Sequence, residues 1–366
     1  MFSIFSEYGT AQRIISKHFH VIFYAENSNY FQYFAHLYNE LQQIETIRIA
    51  YITSDKNDPV LSDKKVESYY LNTTLAGTFP RLQADVMIMT MPDLQNFIFK
   101  RSATVKKYIY VFHAMVSTHQ QYRAHAFDHY DAIFCTGPCH RKEIRESEAL
   151  YSLPRKELID YGYPLLNSLR QKVLEKEIQP NKVLIAPSWY KEGILNTCIL
   201  PLVDALKTSG CEIWIRPHPE FIKRNKKQYL QLEGLARKSD KIFFDTSSSV
   251  FTHLTDAGHL ITDRSGIALE YAFATYKPVL FIDTPLKVQN NEVARFTNVP
   301  LENHYRNCIG RSIGPNDVHL VTGVMKELRN TRETWQSSIK QTEEEAVFSP
   351  AQWENGIRYI RDQLTL

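Results

Sequence analysis

The sequence predicts an α/β protein made of two domains, each with a parallel sheet covered by helices on both faces. Its 366 residues are too many for one domain of ordinary size and suit two. Short apolar runs alternate with stretches of helical spacing, which is the pattern of βαβ units. The apolar runs are continuous rather than alternating, as expected for strands that are buried on both faces.

The first half supplies five predicted strands. Each is an apolar run bounded by polar or turn residues, and together they span residues 20–25, 47–53, 84–90, 107–113 and 130–137. Between the first two strands, residues 29–44 place aromatic and aliphatic side chains at helical intervals. This order predicts a first domain of βαβ units over residues 1–175.

The second half repeats the scheme after a charged stretch, 169–182, which predicts a helix that ends in a linker. Its predicted strands span residues 182–188, 211–217, 241–246, 258–263 and 277–283. We therefore expect a second domain over 176–345. A last helix is expected within 346–366, with Ser349 as its cap and Pro350 in its first position, returning toward the first domain. Ligands of such sheets bind beyond the carboxyl ends of the strands, in the cleft between the domains.

Composition narrows the class of protein. With 43% hydrophobic and 23% charged residues, the chain has the material for a folded core rather than for disorder. Its five cysteines form no CxxC pair, which favours a reducing compartment. Glu7 interrupts the only candidate signal peptide, and no apolar run reaches the roughly 18 residues that a membrane span needs. The sequence therefore predicts a cytoplasmic protein.

Charge gives little sign of a nucleic-acid partner, because the formal net charge is only +3. Basic residues gather at 100–107 and at 223–227. Each cluster is either a set of solvated surface side chains or a contact with anionic lipid on the inner face of the cytoplasmic membrane.

The first candidate for catalysis is His113, the residue with which the predicted strand 107–113 ends. A histidine at the floor of a cleft is suited to take a proton from a hydroxyl group. The structural alternative is a histidine that is hydrogen-bonded to the next turn.

The second candidate is the segment Arg216-Pro217-His218-Pro219 at the end of another strand. The two prolines fix backbone torsions and keep the segment extended and stiff. Arg216 offers a planar fork of donors that matches phosphate oxygens, and His218 adds a compact donor. The alternative, that the prolines only end a strand, leaves these two residue types unexplained.

The third candidate is the strand-to-helix turn that begins at Asp263. Arg264, Ser265 and Gly266 follow, and the start of the next helix leaves backbone N–H groups free to bind a phosphate. Glu270, further along that helix, either accepts hydrogen bonds from ribose hydroxyls or is a solvated carboxylate.

Ser188 and Trp189 follow the first strand of the second half. The Ser188 hydroxyl is placed to touch donor phosphates, and the Trp189 indole either lines the ligand site or packs in the core.

The chain has no pair of aspartates two apart, no GxGxxG and no P-loop. Cys135, Cys139 and His140 have poor spacing for zinc. Neither a metal nor a bound cofactor is implied; the expected small-molecule partner is a nucleotide-activated donor.

Four motifs together carry a family resemblance. "RPHPE", "TDRSGIALEYAFATYKPVLFID", "VLIAPSW" and the histidine of "VFHAMVSTH" resemble the CDP-glycerol glycerophosphotransferase family, over about residues 84–285. The resemblance implies a GT-B-like fold, with two Rossmann-like domains facing across a cleft and the nucleotide on the second. It implies that His113 is the base, that His218 meets the donor diphosphate, and that Ser265 belongs to the phosphate-binding turn.

Two departures from the family pattern stand out. The family commonly has His-Gly-Thr where this chain has His113-Ala114-Met115, so the acceptor contacts of that motif are not carried over to Ala114 and Met115. Arg264 stands where an aromatic residue is common, and it either adds charge at the donor or points to solvent.

The resemblance implies a transferase that moves glycerol phosphate, or a related polyol phosphate, from CDP-glycerol to a hydroxyl of a surface-polysaccharide or lipid-linked acceptor, with release of CMP. One alternative is a GT-B glycosyltransferase that uses CMP-Kdo or a UDP-sugar in capsule or lipopolysaccharide synthesis. A second alternative is a non-catalytic nucleotide-binding protein of envelope assembly. The acceptor, the choice between glycerol and ribitol phosphate, and the oligomeric state stay open.

Overall fold

A computed structural model describes residues 4–245, 247 and 251–365. Within that range the chain forms two parallel β-sheets with helices on both faces, which confirms the predicted α/β class. Residue 246, the last of the predicted strand 241–246, lies outside the described residues.

The first sheet has seven strands in the order β3-β2-β1-β4-β5-β6-β7. They are β1 (His18–Ala25), β2 (Ile49–Thr53), β3 (Glu67–Tyr70), β4 (Gln83–Met89), β5 (Val105–Val111), β6 (Ala132–Cys135) and β7 (Glu157–Asp160). All of their pairings are parallel. The strand order reverses between β1 and β4, which places a crevice outside their carboxyl ends.

The second sheet repeats this winding with six strands in the order β10-β9-β8-β11-β12-β13. They are β8 (Gln179–Ile185), β9 (Glu212–Ile215), β10 (Ile242–Phe244), β11 (Ala257–Thr262), β12 (Val279–Ile282) and β13 (Gly310–Ile313). Its reversal lies between β8 and β11, so the loops after these two strands lie side by side.

Helices connect the strands and cover the sheets. In the first part of the chain they are α1 (Ile4–Ile15), α2 (Phe31–Leu41), α3 (Leu75–Thr78), α4 (Pro138–Tyr151) and α5 (Leu165–Glu175). In the second they are α6 (Ile194–Thr197), α7 (Ile199–Lys207), α8 (Pro219–Arg224), α9 (Lys226–Ala236), α10 (Phe251–Leu254), α11 (Ile267–Thr275), α12 (Leu301–His304), α13 (Arg306–Ile309), α14 (Val321–Asn330), α15 (Arg332–Ala346) and α16 (Trp353–Gln363).

Each sheet has an apolar core on both of its faces, as the continuous apolar runs require. In β1, for example, Phe19 and Ile22 contribute to one core while Val21 and Phe23 contribute to the other. The second sheet is enclosed in the same way. Because both faces are covered, polar groups that must meet a ligand are confined to the ends of the strands.

Helix α16 returns to the first sheet. Ile357 and Ile360 are buried in a core that includes strand residues of this sheet. The close approach depends on Gly356, because a Cβ atom there would lie 2.8 Å from the ring of Phe134. The turn before α16 starts at the predicted cap, where the Ser349 amide donates to the Gln352 side chain at 2.9 Å. In the described part of the chain, no helix is long and apolar enough to cross a bilayer.

Candidate active site

His113 lies two residues beyond β5, at the carboxyl edge of the first sheet. Its Nδ1 is 2.9 Å from the carbonyl oxygen of Thr90. A carbonyl can only accept, so Nδ1 carries the proton and Nε2 has the free lone pair. Burial lowers the pKa of His113 to about 4, although the bond to Thr90 opposes this. The imidazole is therefore neutral near pH 7, in the tautomer of a base at Nε2.

Aromatic side chains enclose this imidazole. The rings of Tyr30, Tyr33 and Tyr122 have their centroids 5.6, 6.1 and 5.9 Å from that of His113, all edge-to-face. Tyr30 and Tyr33 come from α2 and the turn before it, whose aromatic spacing predicts the helix but not this contact. The surrounding rings restrict the orientation of His113, which keeps part of its surface exposed.

His218 lies at the carboxyl edge of the second sheet, three residues after β9, and caps α8. Its Nδ1 accepts a hydrogen bond from the backbone N–H of Glu220 at 3.2 Å. An N–H group can only donate, so in the neutral ring the proton is on Nε2, which is the opposite tautomer to His113. Burial and, after it, the positive charges of Lys287 and of a protonated His113 lower the pKa of His218 to about 3, although the charge of Glu220 opposes this.

Arg216 is oriented by an ion pair. Its Nη1 lies 2.5 Å from Oδ2 of Asp245, whose side chain is 1% exposed, and 3.3 Å from the hydroxyl of Ser247. The Arg216 side chain keeps 17% of its surface exposed. The stiff segment from Arg216 to His218 thus holds one cation and one neutral N–H donor beyond the end of β9.

Asp263 holds two loops together. Its carboxylate accepts the backbone N–H groups of Ser188 at 2.7 Å, Ile194 at 3.1 Å and Arg264 at 2.7 Å, and it is fully buried. Asp263 thus links the loop after β8 to the turn after β11. Ser188 is placed beside this turn, as expected from the strand order.

The start of α11 touches the segment that follows His113. A Cβ atom on Gly266 would lie 2.8 Å from Cγ1 of Val116 and 3.6 Å from Cβ of Ala114. Ser265 precedes this contact and lines a small pocket together with Arg306. The His113 segment and the predicted phosphate-binding turn are therefore in direct contact across the cleft.

Arg264 does not point to solvent, since its side chain is 10% exposed. Its guanidinium donates to the carbonyl of Thr284 at 2.8 Å and pairs with Asp283 at 2.6 Å. It therefore fastens the loop after β12 beneath the turn. Trp189 is partly buried against the second core, and the guanidinium of Arg224 lies 5.1 Å from its ring.

Glu270 is buried on α11 and accepts a hydrogen bond from the hydroxyl of Tyr163 at 2.7 Å. Burial raises the pKa of Glu270 to about 7, while the bond from Tyr163 and the charge of Arg216 oppose the rise. The ring of Tyr163 lies 6.4 Å from that of Tyr33. Glu270 thus connects to the group of side chains around His113 and titrates near neutral pH.

The sequence interpretation missed two ionisable residues of the cleft. Glu26 directly follows β1, and burial raises the pKa of its carboxyl while the charge of Lys223 opposes this rise. Lys287 lies five residues after β12, with its Nζ 5.8 Å from the ring centroid of Trp189. Both strands are predicted, so a systematic look at the residues beyond every strand end would have listed both positions, but not the burial of their side chains.

His113, His218 and the Ser265–Gly266 turn come from three strand ends of two parallel sheets. A protonated His113 lowers the pKa of His218, and Gly266 touches the segment that follows His113. Two Rossmann-like parallel sheets that face each other across a polar cleft are the architecture of a GT-B-type fold.

The family model for CDP-glycerol:poly(glycerophosphate) glycerophosphotransferases matches residues 8–297. The chain therefore belongs to this family, and it is a CDP-glycerol glycerophosphotransferase-like transferase. This confirms the resemblance carried by the four motifs and does not favour the glycosyltransferase or the non-catalytic alternative. No curated protein sequence matches the chain.

Solved structures support the fold. A structure of the wall teichoic acid polymerase TagF soaked with CDPG has a TM-score of 0.64 at 14% identity, and the match covers 96% of this chain and 91% of that one. The S. aureus MnaA–UDP structure has a TM-score of 0.59 at 14% identity, with 96% and 98% covered. The UDP-GlcNAc 2-epimerase of Methanocaldococcus jannaschii, with UDP-GlcNAc and UDP, has a TM-score of 0.54 at 11% identity, with 94% and 99% covered.

Proposed function

We propose that this enzyme transfers glycerol phosphate from CDP-glycerol to a hydroxyl of a teichoic-acid-like polymer, with His113 as the base and His218 as a donor to the departing CMP. The observation that carries the proposal is the pair of opposite tautomers. The Thr90 carbonyl leaves a lone pair on Nε2 of His113, and the Glu220 amide leaves a proton on Nε2 of His218.

The chemistry uses the two imidazoles in sequence. His113 Nε2 takes the proton of the acceptor hydroxyl as its oxygen attacks the phosphorus that bears glycerol. The bond from that phosphorus to the CMP oxygen breaks, and the leaving phosphate gains negative charge. His218 Nε2–H and Arg216 offset that charge, while the amides around Ser265 and Gly266 position the donor. In-line phosphoryl transfer needs mainly such positioning and electrostatic stabilisation.

The remaining predicted residues have supporting roles in this proposal. The side chains of Asp263 and Arg264 are hydrogen-bonded to neighbouring backbone groups. We therefore assign them to shaping the turn rather than to touching the donor. Ser188 is held beside the turn by Asp263 and is placed to meet the donor phosphates. Glu270 is a candidate for the ribose hydroxyls, because its second carboxylate oxygen has no hydrogen bond among the described residues.

Donor identity is testable by thermal shift. We expect CDP-glycerol to raise the melting temperature more than CDP-ribitol, CMP-Kdo or UDP-GlcNAc, because a ligand stabilises the folded state that binds it. At about 100 times its Kd, one ligand adds roughly 2.7 kcal/mol to the free energy of unfolding. Cytidine and glycerol 3-phosphate, which are parts of CDP-glycerol, are the controls. A response to UDP-GlcNAc alone would contradict the proposed donor while leaving the fold unaffected.

We further propose that the enzyme works on the cytoplasmic face of a membrane, where a lipid-linked acceptor is held. Phe97 and Ile98 are 56% and 67% exposed in the loop between β4 and β5. The guanidinium of Arg123 lies 5.1 Å from the ring centroid of Phe97, and Lys100 is two residues beyond Ile98. Exposed apolar side chains beside cations suit the boundary between anionic headgroups and acyl chains.

Vesicle co-sedimentation tests this contact. We expect the protein to bind vesicles that contain phosphatidylglycerol better than pure phosphatidylcholine vesicles, with the difference reduced at high salt. The double substitution Phe97→Ser with Ile98→Ser should reduce binding. Leu174→Ser is the control, since Leu174 is 81% exposed at the end of α5. Equal binding of the loop variant and the wild type would exclude this loop as the contact.

A further inference from the structure

The loop after β12 bridges the two domains. Residues 284–290, which we call the strap, are held at one end by the Tyr190 hydroxyl, which donates to the carbonyl of Pro285 at 2.9 Å. At the other end the amide of Gln289 donates to the carbonyl of Gln120, in the segment that follows His113, at 2.8 Å. Only three residues of the strap lie between these two anchors, so their side-chain directions are well defined.

The exposure of these three side chains is the reverse of what their polarity predicts. Leu286 and Val288 are 49% and 45% exposed, whereas Lys287 between them is turned inward and partly buried. In most folded proteins large aliphatic side chains are buried and lysine is exposed, because water favours the charge and disfavours the apolar surface. The strap therefore leaves two apolar side chains exposed to water and directs the ammonium of Lys287 toward the cleft.

The ammonium of Lys287 has no hydrogen bond or ion pair among the residues that the structure describes. Its Nζ lies 5.8 Å from the ring centroid of Trp189, and that ring lies 6.0 Å from the ring of His218. Burial lowers the pKa of Lys287, while the charges of Asp263 and Glu302 oppose this from a distance. The carboxylates of Asp263 and Glu302 are already occupied by hydrogen bonds from other groups.

We propose that Lys287 is a further catalytic residue of the phosphotransfer, which binds non-bridging oxygens of the donor diphosphate and neutralises the charge that grows on the departing nucleotide phosphate. This inference rests on the proposed function, because it names a contact to the same donor. A partly dehydrated cation that lacks an anion costs free energy in the empty protein, and the bound diphosphate supplies that anion. A lysine suits this role because its ammonium is a compact charge on a flexible stem.

Near His218, Lys287 supplies a positive charge that the other donors of the site do not. His218 is neutral and donates one hydrogen bond, so it adds no formal charge. Arg216 shares its charge with Asp245. Lys287 is thus the cation near His218 whose charge is not already paired with a carboxylate among the described residues, and the leaving phosphate needs such a charge.

The test uses Lys287→Met, which keeps the length of the side chain and removes its charge. The control is Lys191→Met, which makes the same change at an exposed lysine three residues beyond Ser188. The Kd of CDP-glycerol, CMP and cytidine is measured for each protein by calorimetric titration, together with kcat for CMP release and the melting temperature without ligand. Lys287→Arg tests whether a positive charge at this place is sufficient.

We expect Lys287→Met to weaken CDP-glycerol and CMP binding about tenfold to a hundredfold, which is typical for loss of a hydrogen bond to a charged group. The Kd of cytidine, which has no phosphate, should not change, and kcat should fall. The melting temperature of the empty protein should stay the same or rise, because the variant no longer buries an unpaired charge. Lys287→Arg should keep most of the affinity, and Lys191→Met should match the wild type.

Three outcomes would overturn the inference. An unchanged Kd for CMP in Lys287→Met would exclude a phosphate contact. An equal loss for cytidine and CMP would show a general change of the site, and a lower melting temperature of the empty variant would show a structural role. In each case a wild type that still binds CDP-glycerol leaves the proposed function in place. A wild type that binds neither CDP-glycerol nor CMP would refute the proposed function and, with it, this inference.

Discussion

Replacement of His113 by asparagine is expected to lower kcat by about 10² to 10⁴, the usual contribution of a positioned general base. The variant is chosen because the side-chain amide of asparagine can replace Nδ1 as the donor to the Thr90 carbonyl, while it has no lone pair at the place of Nε2. The rate of CMP release from CDP-glycerol in the presence of acceptor is the measurement. The melting temperature should stay close to that of the wild type, because the local hydrogen bond is kept.

His319→Asn is the matched control, because His319 is exposed and lies in the turn just before α14. It should leave both the rate and the melting temperature unchanged. Near-normal CMP release by the His113 variant would remove the base from the mechanism. A large fall in melting temperature would show that the residue supports the fold instead.

The pH dependence follows from the same geometry. Because its pKa is about 4, His113 is neutral in the free enzyme near pH 7. Protonation of His113 should therefore not lower kcat/KM until the pH approaches 4. The bound diphosphate adds negative charge nearby, which favours the imidazolium and raises the pKa. The acid limb of kcat should therefore lie at a higher pH than the acid limb of kcat/KM. The opposite order would contradict a donor that binds beside His113.

The parts of the fold that the sequence predicts are those whose physical signal is strongest. Ten strands are predicted from continuous apolar runs, and the structure has a strand in each of these places. Among the described residues, the strands that the sequence does not predict are β3, β7 and β13, and each is at the edge of its sheet. An edge strand is bordered by one neighbour only, so short polar sequences such as Glu67–Tyr70 and Glu157–Asp160 are tolerated there.

The same limit applies to the site. A histidine after a buried strand, or an arginine and a histidine between prolines, is visible in the sequence because chain position and residue type coincide. The partners that set their chemistry are distant in the chain: Thr90 fixes the tautomer of His113, and Asp245 orients Arg216. Such pairings depend on which strand ends are neighbours in space, which the apolar pattern does not specify.

Arg264 and Lys287 show how residue type can mislead. Arg264 occupies the turn where a phosphate is expected, yet its guanidinium is used by Thr284 and Asp283 beneath it. Lys287 lies in an unremarkable stretch of sequence, and only the exposure of its two apolar neighbours reveals that its side chain is turned inward. Charge at a strand end therefore predicts a functional residue only after its hydrogen-bond partners are known.

His218 allows two functions of one imidazole to be separated. Its Nδ1 caps α8 by accepting the amide of Glu220, and its Nε2–H is directed elsewhere. Asparagine is a good N-cap residue, so its side-chain oxygen can replace Nδ1, but it lacks the group at the place of Nε2. Alanine removes both. The pair of variants therefore tests whether the donor or the cap accounts for any loss.

We expect His218→Asn to keep the melting temperature of the wild type and to lower kcat by about 10² to 10³, the cost of removing one preorganised donor from a site of developing charge. His218→Ala should lower kcat to the same extent and also lose about 1 kcal/mol of unfolding free energy with the cap. Equal rates in wild type and His218→Asn would show that the cap is the only role of this residue. Because the transition state carries more charge on the leaving phosphate than the bound donor does, the loss should appear in kcat more than in the Kd of CDP-glycerol.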